Sequence, residues 1–249
     1  MFKAAKGLDY RIFLRKLHEE LLFDWYLEIG SQTGESLSPV RSKTVAVDPF
    51  FRAKVYVIGA KPALHVFQTT SDAFFDTGFL ARNEIKVGLS FLDGMHLYEY
   101  LLRDFIAAEA AAAPGGVIVM HDCVPYSFGM TTRDLTSLRR GKAWTGDVWK
   151  LIPILQELRP DLQLTVLDCW PSALVCVTGL APENRALADS YTKILKQWDG
   201  VELEAYGLDR FQSLFDMVSG EDSAAAGFQL FRDASIDATL ALRPVLHST

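Results

Sequence analysis

Three things are scarce in this sequence. Cysteine is the first, with three among 249 residues: Cys123, Cys169 and Cys176. None stands in a CxxC pair, which argues against a disulfide scaffold or a zinc knuckle. Long apolar runs are the second. None reaches the roughly 18 residues that a membrane-spanning helix needs, and the best candidates are cut by charge, as at Asp104 and Glu109. The opening residues, MFKAAKGLDYRIFLRKLHEE, lack the apolar core of a secretory leader. Positive charge is the third. The formal net charge is −6, whereas a general nucleic-acid binder needs a basic footprint to displace counterions. Together these absences predict a cytoplasmic protein with neither a membrane nor a nucleic-acid partner.

What remains is the composition of a folded domain. Apolar residues make up 49% and charged residues 22%, enough apolar material to offset the entropy of ordering the chain. The length suits one large domain. From Asp9 to Phe23 a helical stripe of Ile12, Leu17, Leu21 and Leu22 is expected, with Asp9 as its N-cap. Five short β-rich runs follow: Trp25–Ile29, Thr44–Val47, Leu64–Gln68, Val87–Leu92 and Val117–Met120. Helical stretches separate them, the clearest from His96 to Ala113, stopped by Pro114-Gly115-Gly116. Apolar strands without alternation, spaced by helices, predict a parallel sheet covered on both faces. Leu162–Leu167 and Ala173–Thr178 read as an antiparallel pair at the end of that sheet. Past Pro182 the pattern is helical, from Glu183 to Trp198 and again near Asp209 to Val218, with a loose polar loop over 219–227.

In open α/β sheets, ligands bind beyond the carboxyl ends of the strands. Here those ends carry Glu28, Asp48, Ser71-Asp72, Asp93 and His121-Asp122. Any one of them reads plainly as a helix cap. Gathered at one edge, where like charges repel, they point to a ligand site. The first strand runs into Glu28-Ile29-Gly30-Ser31-Gln32-Thr33-Gly34-Glu35-Ser36. Its glycines permit a tight turn and close backbone approach. The spacing is G-x-x-x-G, not the G-x-G-x-x-G that cradles a pyrophosphate. An acid beside the loop suits a ligand with an ammonium group. Asp48 lies 20 positions after Glu28, at a strand end where a carboxylate can accept from both hydroxyls of a ribose.

Further along stand Phe91-Leu92-Asp93-Gly94-Met95-His96-Leu97-Tyr98-Glu99, Leu102-Arg103-Asp104, Pro114 to Asp122, and Trp144 to Lys150. In these stretches the chain resembles the class I S-adenosylmethionine (SAM)-dependent methyltransferases, in their small-molecule O-methyltransferase-like branch. The resemblance covers about Trp25 to Gly179. It implies an α/β, Rossmann-like fold: a mainly parallel seven-stranded sheet flanked by helices, with one antiparallel strand at the end. Residues 1–181 are expected to form a methyltransferase domain with an N-terminal helix, and the helical pattern past Pro182 predicts that 182–249 are a C-terminal helical extension of the same domain that caps the site or mediates self-association as a homo-oligomer. Gly30, Ser31, Gly34 and Ser36 would line the methionine part of the cofactor, with Glu28 near its amino group. Asp48 would hold the ribose, Ser71 and Asp72 the adenine edge, and Asp93 would face the sulfonium and the acceptor. The acceptor implied is a small molecule, methylated on an oxygen of a sugar or natural product.

Methyl transfer is an in-line displacement in which alignment lowers the barrier, and a hydroxyl acceptor must also lose a proton. His96 and His121 are the candidate bases, with His96 expected at a helix start whose dipole keeps it neutral. Some members of the branch hold a divalent metal on acids after the fourth and fifth strands. Asp93, His121 and Asp122 stand there, a set that suits manganese or zinc better than magnesium. Phe50-Phe51, Phe74-Phe75, Trp144 and Trp149 read first as core and second as pocket walls. Arg133, Arg139, Arg140 and Lys142 read first as a solvated basic face. His18, His65 and His247 are expected to be structural or exposed. Two other readings remain open: a non-catalytic SAM-binding protein and a NAD-binding Rossmann oxidoreductase. The glycine spacing and Glu28 count against the latter, so a fluorescence titration is expected to show no tight NADH binding. Tight NADH binding without SAM binding would reverse the order of the readings.

Overall fold

The computed structural model describes residues 1–137 and 143–236. Arg139, Arg140, Lys142 and His247 lie outside the described residues. The chain opens with α1 (Tyr10–Glu20), β1 (Leu22–Phe23), β2 (Trp25–Ile29), β3 (Lys43–Val47) and β4 (Leu64–Phe67). It continues with α2 (Ser71–Asp76), α3 (Phe79–Arg82), β5 (Val87–Leu92), α4 (Tyr98–Ala110) and β6 (Ala112–His121). Then come α5 (Leu151–Leu158), β7 (Gln163–Asp168), β8 (Leu174–Thr178) and α6 (Ala186–Trp198). The last elements are α7 (Leu203–Tyr206), α8 (Leu208–Gln212), β9 (Met217–Ser219), α9 (Gly220–Ala225) and β10 (Ser235–Ile236).

Among the described residues the main sheet has eight strands, in the order β4-β3-β2-β5-β6-β8-β7-β9. β4, β3, β2, β5 and β6 are mutually parallel, as the alternation of strands and helices predicts. β8 runs antiparallel to both β6 and β7. The sheet is therefore the mainly parallel α/β type expected, with one strand more than seven. The extra strand is β9, which pairs parallel with β7 in a stretch expected to be helical. Met217-Val218-Ser219 is too short to show a period of its own, and only the open edge of β7 makes it a strand. The antiparallel strand, β8, lies between β6 and β7, inside the sheet and not at its end. Residues 219–227 are not a loose loop either: Ser219 caps α9, accepting from the Asp222 N–H at 3.0 Å.

Each strand alternates its side chains between two faces, and each face has its own core. Leu27, Ile29, Val45, Val47, Leu92, Ile118 and Met120 pack with Leu101, Leu102 and Phe105 of α4 and with α5. Tyr26, Ala46, Leu89, Phe91, Val117 and Val119 pack on the other side with Phe13, Leu14 and Leu17 of α1 and with Phe228 and Phe231. Asp9 caps α1 as expected, accepting from the N–H groups of Arg11 and Ile12. Its inward face is Phe13, Leu14, Leu17 and His18; Ile12, expected in that stripe, is exposed. His18 is wholly buried, and burial lowers its imidazole to about 3. Phe74 and Trp149 are core residues, as first read. No helix among the described residues is long and apolar enough to cross a membrane.

α4 starts two residues later than the Leu- and Glu-rich pattern suggests, at Tyr98, where Leu97 offers no cap and the Tyr98 N–H donates to Asp147 at 3.0 Å. Its buried Glu109 meets Arg159, which closes α5. The two make a bidentate pair at 2.6 and 2.9 Å, with side chains 3% and 1% exposed. Arg159 keeps a second partner in Asp161, but removing Arg159 would leave Glu109 buried without a counter-ion, at a cost of about 3–5 kcal/mol. Arg159→Met should therefore lower the unfolding free energy in urea by about 3 kcal/mol. The double change Glu109→Leu with Arg159→Met should regain most of that loss.

Candidate active site

The carboxyl ends of the parallel strands open into a cavity of about 620 Å³. Its walls include Gly30, Gln32, Asp48, Phe50, Ser71, Asp93, His96, His121, Asp122, Tyr10 and Trp144. Of the site residues named from the sequence, Gly30, Asp48, Ser71, Asp93, His96, His121 and Asp122 therefore share one cavity. Glu28, Ser31, Gly34, Ser36 and Asp72 do not line it.

The glycine loop is built for close packing within the protein. Gly30 has φ +93°, and a Cβ there would collide with the Asp93 carbonyl. The close approach lets the ends of β2 and β5 lie side by side, with Asp93 N–H donating to the Ile29 carbonyl at 2.9 Å. Gly34, at φ +79°, makes the same allowance for the side chain of Val57. Asp48 projects into the cavity from the end of β3. It accepts from the N–H of Gln32 at 2.8 Å and of Phe50 at 2.6 Å, which leaves further lone pairs on both oxygens. Ser71 begins α2 at the same edge. Asp72 turns aside to a bidentate ion pair with Arg103, both contacts at 2.7 Å.

Glu28 occupies a different place from the one expected. Leu27 and Ile29 face α4, so Glu28 faces α1 with Tyr26, fully buried. The Tyr26 hydroxyl donates to its Oε2 at 2.6 Å and Ser36 donates to its Oε1 at 2.9 Å. Burial overcomes these hydrogen bonds and pushes the carboxyl up to about 7. It supports the glycine loop from beneath.

At the ends of β5 and β6 two carboxylates and two imidazoles interlock. His121 Nδ1 lies 3.1 Å from Asp93 Oδ1, and its Nε2 lies 3.3 Å from Ser172 Oγ. Ser172 also donates a short hydrogen bond to Asp122. His96 Nδ1 meets the Trp144 carbonyl at 2.9 Å. Its Nε2 is 3.4 Å from Asp93, and its Nδ1 is 3.3 Å from Asp122. Burial opposes charge on His96, but Asp93 and Asp122 outweigh it and carry the imidazole up to about 9. His121 rises for the same reason, and Asp93 is held well below the usual carboxylate range by its two histidines. This corrects the expectation for His96. It stands outside α4, so carboxylates and not a helix dipole set its charge. Asp93, His96 and Asp122 present ligand atoms within 4.8 Å of one another. His121, named from the sequence as the imidazole ligand, has both nitrogens engaged by Asp93 and Ser172.

Two site residues carried no sequence signal: Tyr10, which arrives from α1, and Ser172, from the loop after β7. Trp144, read from the sequence as core or pocket wall, meets His96 through its carbonyl. Each is more than 45 positions from the histidine it touches, beyond the reach of a local pattern.

Residues 27–123 match a family model described as a methyltransferase domain. That stretch runs from β2 to just past β6 and contains every predicted site residue. This match agrees with the resemblance seen in the sequence: over residues 27–123 the chain is similar to a methyltransferase domain. A search of curated proteins returned no match. Among solved structures, the chain is similar to the O-methyltransferase TomG from Streptomyces achromogenes, involved in tomaymycin synthesis and in complex with SAM. Identity is 16% over 68% of this chain and 76% of that one, with TM-score 0.45. It is similar to an O-methyltransferase from Bacillus cereus in complex with S-adenosylhomocysteine (SAH), at 14% identity over 68% and 78%, TM-score 0.45. The mycinamycin-pathway enzyme MycE, in complex with Mg, SAH and mycinamycin VI, shows 15% identity over 70% and 49%, TM-score 0.44.

Glu28 gives the site a pH signature. Its ordinary value is 4.5 and its folded value about 7, so the folded state binds the proton more tightly. That contribution is present below pH 4.5 and is lost as pH rises through 7. Glu28→Gln, which cannot ionise, should gain stability relative to the parent between pH 5 and 8, by up to about 3 kcal/mol. Thermal melts of both proteins across that range check it, and parallel curves would mean that Glu28 is charged in the fold.

Proposed function

We propose that the chain transfers a methyl group from SAM to an oxygen of a small molecule of sugar or natural-product type. One observation carries the reading: within the family-matched segment, Asp48 and the Asp93–His96–His121–Asp122 cluster open into one cavity at the carboxyl edge of the sheet. SAM, when bound, supplies a methyl group already activated on a sulfonium. The protein's part is to bind, align and move a proton.

Asp48 fits the ribose hydroxyls, since its oxygens retain lone pairs after meeting Gln32 and Phe50. Gly30 lines the methionine end and Ser71 the adenine end. Asp93 stands where the methyl group would pass. The acceptor's proton goes to Nε2 of His96, because Nδ1 is tied to the Trp144 carbonyl. Asp93 and Asp122 then hold the imidazolium that results. Such a site favours the basic form only toward high pH, because His96 sits at about 9.

A second reading has its own observation in the clustered ligand atoms of Asp93, His96 and Asp122. Two carboxylates and an imidazole fit a divalent cation of the manganese or zinc kind. When bound, it would acidify the acceptor hydroxyl. The non-catalytic alternative leaves this cluster without a purpose. Cytoplasmic location, absence of a nucleic-acid partner, and residues 182–249 as a C-terminal extension of the same domain that caps the site or mediates self-association belong to the same reading.

Calorimetric titration with SAH, with and without manganese, tests it. Micromolar binding is expected. Asp48→Ala should weaken it by about 10- to 100-fold, the worth of one or two hydrogen bonds to a charged group. Asp48→Asn, which can still accept from Gln32 and Phe50, separates ribose binding from loop support. Unchanged affinity in both variants would move the ribose elsewhere.

A further inference from the structure

α1 reaches the site through its first residue. The main chain of residues 8–10 is clamped to the loop after β7. Tyr10 N–H donates to the Trp170 carbonyl at 3.0 Å, and Trp170 N–H donates to Leu8 at 2.9 Å. The same loop supplies Ser172, which touches His121. The Tyr10 ring stacks on the His121 ring, with centroids 4.1 Å apart and planes at 29°, and it lines the cavity. His121 is thus held at both nitrogens, by Asp93 and Ser172, and on one face by Tyr10.

The hydroxyl of Tyr10 is no base. Burial and the Asp93 charge raise its pKa, so it stays protonated. It accepts from Arg11 Nε at 3.1 Å, and Arg11 pairs with Glu35 of the glycine loop at 2.6 Å. That ion pair is half-exposed on both sides and contributes little by itself. The ring is what bears on His121.

We propose that Tyr10 is a positioning residue for this site. Its ring fixes the plane in which His121 meets Asp93 and Ser172, and it walls His121 off from water at the acceptor end of the cavity. The wall role rests on the methyl-transfer reading above; the grip on His121 rests on the stacking geometry alone. An aromatic ring does this because it covers an imidazole face to face. An aliphatic side chain at the same place would fill space without setting the plane.

The test is histidine footprinting of the full chain. Parent, Tyr10→Phe and Tyr10→Ala proteins are treated with diethyl pyrocarbonate, and the rate at each histidine is read by mass spectrometry. His121 should react at least about tenfold faster in Tyr10→Ala and within about twofold of the parent in Tyr10→Phe, since the stack and not the hydroxyl protects it. Exposed His65 should not change among the three, and buried His18 should stay unreactive. Reaction at His18 in Tyr10→Ala would report unfolding, and Tyr10→Leu then replaces that variant under the same expectation. Unchanged His121 reactivity in a folded Tyr10→Ala or Tyr10→Leu protein overturns the proposal, as does a Tyr10→Phe protein as reactive as Tyr10→Ala. SAH titration of the parent separates the two layers. Binding of SAH with no selective exposure of His121 removes Tyr10's role and keeps the cofactor. Selective exposure without SAH binding overturns the acceptor wall and keeps the grip on the histidine.

Discussion

Carboxylates gathered at one sheet edge cannot be buried, charged and alone at once. The architecture of the site follows from how each is compensated. Asp48 is held by two main-chain N–H groups and keeps its face to the cavity. Asp93 and Asp122 are held by two imidazoles and a serine hydroxyl. Asp72 is drawn away by the Arg103 guanidinium. Glu28 has only hydroxyls for partners, so its carboxyl is pushed up to about 7. The acids that retain open lone pairs at the cavity are those compensated by small groups from one side. The acids met by a guanidinium or sealed under a core face become structural.

That distinction explains how much of the site was legible in the sequence. The five parallel strands and the acids at their ends are local patterns, and they stand where the apolar runs and turn residues place them. The compensating partners are not local. Glu28 precedes the glycine loop just as an ammonium-binding acid would, yet strand alternation puts it beside Tyr26 under α1. His96 looks like a helix start, but α4 begins two residues later, which replaces a dipole that would lower its pKa with two carboxylates that raise it. β9 was invisible because three residues carry no period, and only the edge of β7 gives them a partner.

Volume alone does not single out the site. A second cavity of about 620 Å³ lies between α2, α3 and the end of α4, walled by Phe74, Phe75, Phe79, Ala107 and Ala111. It offers apolar surface, with Glu84 and Lys86 at its border. The cavity at the strand ends instead gathers three carboxylates and two imidazoles inside the same space. Chemistry needs groups that exchange protons or hold charge, and the cavity at the ends of the parallel strands brings such groups together.

The two histidines, alike in sequence context, have different freedom. His121 spends Nδ1 on Asp93 and Nε2 on Ser172, and Tyr10 covers one face. Nothing can approach either nitrogen without displacing a protein partner. His96 spends Nδ1 on the Trp144 carbonyl and leaves Nε2 in looser contact with Asp93 at 3.4 Å. A proton from an acceptor and a divalent cation would therefore compete for the same atom. In the proposed reaction, base catalysis by His96 and metal ligation by His96 would exclude each other in any one turnover, and His121 could not relieve the conflict. It would serve instead to fix Asp93, the carboxylate that both proposed chemistries need in place.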